Sequence, residues 1–115
     1  MYALPPRLAR LPARARPGGL VLHEAAGPRA RLLGLAGLAG LPAAHGLWLP
    51  ATRSVHTLGM RFPLDLLWLD GAGAPVRLDQ HVGPARLRTC RRARSVIEVA
   101  AGAGGRWAAA HTMEG

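Results

Sequence analysis

The stretch LDLLWL, Leu64–Leu69, constrains this chain more than any other, because it is apolar at every position except Asp65. A strand with no polar face has to lie inside a sheet that is covered on both sides. Pro63 fits the start of such a strand, where a missing N–H does least harm. Side chains alternate with period two, so Asp65 shares a face with Leu67 and Leu69 and is at least partly buried. A buried carboxylate needs a partner. The nearest cations in sequence are Arg53, His56 and Arg61; backbone N–H groups that pin the loop before the strand are the alternative.

The chain has 115 residues, and a domain of that size buries about 65% of the surface its unfolded chain exposes, which is enough for one real core. Half of the residues are apolar, which argues against disorder. Aromatic side chains are scarce: Tyr2, Trp48, Phe62, Trp68 and Trp107. The core is therefore built mainly from Leu, Val and Ala, and the middle of the chain packs best.

The net charge of +9 would ordinarily suggest a polyanionic partner. All fifteen basic residues are Arg, however, in a chain crowded with Ala, Gly and Pro, so much of the charge is compositional. The basic stretches also lack the interleaved aromatic residues that base stacking requires, and both features argue against nucleic acid as the partner. Cys90 has no second cysteine to pair with, and nothing indicates an oxidising compartment. No apolar run reaches the length of a signal peptide or membrane span, so a cytoplasmic setting is expected.

Residues 1–17 carry Arg7, Arg10, Arg14 and Arg16 between Pro5, Pro6, Pro12 and Pro17, and read as a flexible, solvated arm. Residues 18–115 read as one domain. Leu20–Leu22 is a short strand. From Arg29 to Leu41 the leucines at 32, 35, 38 and 41 have helical spacing, although Gly34, Gly37 and Gly40 weaken the helix. Further strands are expected at Gly46–Leu49, Ser54–Thr57, Leu64–Leu69, Pro75–Leu78, Arg86–Cys90 and Ser95–Ala100, with a hairpin turn at Asp70–Gly73. Beyond Ala101 the chain fades into Gly and Ala. The pattern predicts a mainly β single domain, a β-sandwich or partly open β-barrel with one or two short helices.

The run VHTLGMRFPLDLLWLDGAG, preceded by RLLGLAGL and followed by Pro84, Cys90, Ala93 and VIEVAAG, resembles the domain of unknown function 192 (DUF192) family over roughly Leu20 to Gly102. The resemblance implies a compact, mainly β domain and no established activity. Two departures stand out. Many members have Asn-Thr where Gly59 and Met60 stand, and Trp where His56 stands. The closing Gly-Asp turn and strand of the family are blurred in GGRWAAAHTMEG, which keeps Trp107.

The candidate site is the polar cluster His56, Thr57, Arg61 and Asp65, with Arg53, and with Trp48 as an apolar wall. His56 and Arg61 would donate to a small anionic ligand or a protein partner, Thr57 would supply a hydroxyl and Asp65 would orient Arg61. A second reading makes His56 the general base of an enzyme acting on a small polar substrate. A third makes the cluster purely structural. Cys90 reads as buried rather than nucleophilic, Glu98 as an outward-facing strand residue, and His45, His56, His81 and Cys90 lack zinc-site spacing. No metal or cofactor is expected.

Overall fold

A computed structural model describes residues 3–25, 27, 30 and 34–113. Along the chain come helix α1 (Pro6–Ala9), strands β1 (Ala13–Arg16), β2 (Leu20–Glu24), β3 (His45–Pro50), β4 (Ser54–His56), β5 (Leu64–Leu69), β6 (Pro75–Val82), β7 (Leu87–Thr89) and β8 (Ser95–Ala100), and helix α2 (Gly104–Met113). Six strands form one open sheet in the order β1-β2-β3-β8-β5-β6, and β4 pairs with β7 in a separate ribbon. Only β2 and β3 run parallel; the other pairs are antiparallel. Among the described residues the fold is thus mainly β, with two sheets and two short helices and without barrel closure.

The residues that read as strands from both faces are the central ones. Every side chain of β5 is buried, as is every one of β8 up to Val99. Cross-strand rows divide the apolar residues between two cores. On one face Leu47, Leu49, Leu64, Leu66, Trp68 and Val96 pack with Leu8, Leu35, Val55 and Met60. On the other face Leu20, Leu22, Leu67, Leu69, Ile97 and Val99 pack beneath Trp107, Ala103 and Ala110 of α2 and its lead-in. The sheet is therefore covered by α2 on one side. The segment 34–41 and the β4–β7 ribbon together cover the other.

Three local expectations change. The 1–17 arm is built into the fold from α1 onward: Leu8 is fully buried, and Pro6 starts a helical turn where its missing N–H is harmless. After it, β1 pairs with β2 through a turn in which Gly18 and Gly19 both have positive φ. The helix expected from Arg29 to Leu41 lies partly outside the described residues. From Gly34 onward the chain turns instead, with Gly34 at φ 51 and Gly37 at φ 81, a conformation that ends a right-handed helix. Past Ala101, where no ordered element was expected, α2 forms because Ala103, Trp107 and Ala110 recur at helical spacing over the sheet.

Candidate functional site

Asp65 is fully buried, as its place on β5 demands, but its partners are not the cations nearest in sequence. Its Oδ1 accepts the His81 N–H at 2.9 Å, and its Oδ2 accepts those of Gly102 at 3.0 Å and Gly104 at 2.9 Å. Gly104 opens α2, so the carboxylate closes off unpaired donors at a helix N-terminus, where negative charge is favoured. Only glycine fits there: a Cβ on Gly104 would lie 2.7 Å from both Asp65 Oδ2 and Leu78 Cδ1. Asp65 thus ties β5, β6 and α2 together on the face beneath α2 and does not orient Arg61.

On the opposite face β8 brings in a second buried acid, Glu98, which is 4% exposed. It stands in a cross-strand row between Leu47 of β3 and Leu66 of β5. Burial raises its pKa from 4.5 to about 7. Its Oε1 is buried and has no hydrogen-bond partner among the described residues. That oxygen adjoins Gly34, where an added Cβ would lie 3.1 Å away. Arg7 holds this wall in place by donating to the carbonyls of Gly34 at 3.3 Å and Ala36 at 2.8 Å. The outward orientation expected for Glu98 fails because β8 is central and covered on both faces.

Glu98 lines a cavity of about 460 Å³. Leu35, Leu49, Val55 and Met60 contribute apolar walls, and Thr52, Arg53, Ser54 and His56 contribute polar groups. Arg53 is partly tied down, its Nε donating to the Ala93 carbonyl at 3.1 Å. His56 is exposed on β4, opposite Leu87. A near-neutral acid beside apolar walls can accept a hydrogen bond, donate one, or exchange a proton with a bound molecule.

The structure therefore divides the expected cluster. Arg53 and His56 line one cavity together. Thr57 is fully buried and structural: its hydroxyl donates to the Gly83 carbonyl at 2.6 Å and accepts the Arg86 N–H at 2.8 Å, which anchors the loop between β6 and β7. Arg61 is exposed and lines neither large cavity. Trp48 packs with the α2 core, across the sheet from the Arg53–Arg61 loop, because β3 alternates and Leu47 and Leu49 take the other face. Cys90 is buried and unpaired. Among the described residues, no group of three or more His, Cys, Asp and Glu side chains is placed to hold a metal ion. No helix among them is long and apolar enough to cross a membrane.

The profile of the domain of unknown function 192 family, described as "Uncharacterized ACR", matches residues 14–113. The chain belongs to this family. No curated protein matches it. Two solved structures share the fold. A protein from Sinorhizobium meliloti 1021, described as a candidate transcription regulator, is 24% identical with a TM-score of 0.68, over 76% of this chain and 74% of the other. A protein of unknown function from Novosphingobium aromaticivorans DSM 12444 is 13% identical with a TM-score of 0.67, over 91% and 92%. The match to the DUF192 profile reaches past the Leu20–Gly102 resemblance to take in most of β1 and all of α2.

Within this DUF192 domain the residue that the sequence reading missed is Glu98. Its signal was present in VIEV: an acid with apolar strand residues on either side should be questioned in the same way as Asp65.

Proposed function

We propose that this DUF192 protein is a non-enzymatic binding module for a small molecule. The ligand has an apolar body that fits the cavity beneath the β4–β7 ribbon. It carries a hydrogen-bond donor that meets Glu98 and an anionic group that meets Arg53 and His56. One observation carries the reading: a buried Glu98 oxygen without a partner among the described residues, in the wall of a cavity of about 460 Å³. An unsatisfied buried acceptor costs about 1–3 kcal/mol, and a bound donor removes that cost. The volume falls within the range of about 300–1,000 Å³ usual for small-ligand sites.

A second reading, an enzyme acting on a small polar substrate, draws on the near-neutral titration of Glu98. It draws little on His56, because Asp65 is spent on backbone N–H groups on the other face of the sheet.

The test is a ligand-observed NMR screen of small hydroxy- and amino-carboxylates against the wild type, Glu98→Leu and Arg53→Ala. Compounds that bind the wild type should lose binding to Glu98→Leu while circular dichroism shows an intact fold. If every such compound binds all three proteins equally, the reading is wrong. Turnover of a bound compound that stops in Glu98→Gln would favour the enzyme.

A further inference from the structure

We propose that the outer face of the β4–β7 ribbon docks on the surface of an anionic lipid bilayer, a role separate from ligand binding beside Glu98. Among the described residues two large apolar side chains are exposed, Leu58 at 67% and Leu87 at 66%. Single exposed leucines are ordinary on a protein surface, but these two share one face. Leu87 lies opposite His56 in the β4–β7 register. Exposed Ser54, His56 and Leu58 alternate with buried Val55 and Thr57, which turns Leu58 to the same outer side. The Thr57 carbonyl, next to Leu58, accepts the Ala85 N–H at 3.1 Å and so keeps the two segments together past the end of the ribbon. Leu58 also stands in the wall of the cavity lined by Glu98; Leu87 does not, and it carries the test.

Basic side chains surround the pair. Arg61 follows Leu58 by three residues, and Arg86 and Arg88 flank Leu87. Arg61 and Arg86 are exposed, and Arg88 Nη1 donates to the Leu87 carbonyl at 3.0 Å. None of the described carboxylates forms an ion pair with these three arginines. Asp65 and Glu98 are buried, and Asp79 is held by Arg77 at 2.8 Å and Trp68 at 3.0 Å. Asp70 accepts the N–H groups of its own turn, and Glu24 stands opposite Trp48 on the α2 face. The sixth acid of the chain, Glu114, directly follows the last residue of α2. Protruding leucines ringed by guanidinium groups suit a fluid acyl layer, which closes around apolar side chains of any shape while arginine stems leave their charge among anionic headgroups. A second copy of this chain, at +9, would meet the patch with like charge.

The test is sedimentation of the full chain with vesicles of phosphatidylcholine and phosphatidylglycerol in equal parts, against vesicles of phosphatidylcholine alone, at about 0.15 M salt. The mixed vesicles should bind the protein, and the affinity should fall as salt rises. Leu87→Ser should weaken it about tenfold, and Arg61→Ala with Arg86→Ala by about tenfold or more. Arg14→Ala with Arg106→Ala removes the same charge from exposed positions on β1 and α2 and should leave it nearly unchanged. In bicelles with a nitroxide on the lipid acyl chain, the methyl signals of Leu58 and Leu87 should broaden before those of the other leucines, which decides the question should Leu87→Ser fail to fold. The assignment is overturned if neutral and anionic vesicles bind alike, if Leu87→Ser binds as the wild type does, or if both double variants weaken binding equally. Absence of vesicle binding also overturns it and leaves the two leucines to a protein partner.

Discussion

Replacing Asp65 with Asn separates a carboxylate that holds the fold from one that serves a ligand. The carboxylate accepts three backbone N–H bonds, from His81, Gly102 and Gly104. Asn keeps the shape but has one oxygen. Its best placement puts that oxygen where Oδ2 stands, which keeps Gly102 and Gly104 and turns the amide NH₂ toward the His81 N–H. One charge-assisted bond, worth about 1.5–3 kcal/mol, is lost, and the two that remain weaken by about 1 kcal/mol each as they become neutral. Removing negative charge from the start of α2 costs about another 0.5 kcal/mol. The sum is about 4–5.5 kcal/mol, a large share of the roughly 5–15 kcal/mol that holds a domain of this size together. Urea unfolding followed by tryptophan fluorescence and far-UV circular dichroism measures it, with the midpoint falling and the slope unchanged. A loss below about 1 kcal/mol would refute the claim that these three bonds join the middle of the sheet to α2.

Gly104→Ala should be nearly as damaging, by about 2 kcal/mol or more in the same assay, because its methyl would sit 2.7 Å from Asp65 Oδ2 and Leu78 Cδ1. Thr57→Val should cost about 2 kcal/mol, since it strands the Gly83 carbonyl and the Arg86 N–H, and should leave ligand binding at the Glu98 cavity intact. For Glu98, the unfolded chain titrates near 4.5 and the folded protein at about 7. Between those values the native state holds a proton that the unfolded state has released, so stability falls as pH rises through this window, by about 3 kcal/mol in all, and stays reduced above it. Denaturation midpoints across pH 4 to 8 should show that decline in the wild type and lack it in Glu98→Gln.

Most of the strands were legible because their signals are local. Leu64–Leu69 and Ser95–Ala100 are bounded by Pro63, Asp70, Arg94 and Ala101 much as the apolar runs suggest, and in Ser54–Thr57 strand alternation puts Val55 and Thr57 on a buried face and leaves His56 on the exposed one. What failed depends on partners far along the chain. The burial of Asp65 followed from its neighbours on β5, but the donors that satisfy it come from residues 16, 37 and 39 positions away. Glu98 looked outward because its neighbours do not reveal that β3 and β5 flank it on either side. Trp48 was grouped with Arg53 by proximity in sequence, whereas strand alternation sends it through to the opposite face. In the candidate site, Arg53 and His56 both line one concave surface. The acid at the centre of that surface was read from the wrong side of its strand.

The most direct measurement is an NMR titration of the Glu98 side-chain carboxyl carbon. A buried acid held neutral in the wall of the cavity should show a midpoint at about 7 in the ligand-free protein. A midpoint near the ordinary value of 4.5 would mean that water or a cation already satisfies that oxygen, and the recess would lose its claim to be a preformed site.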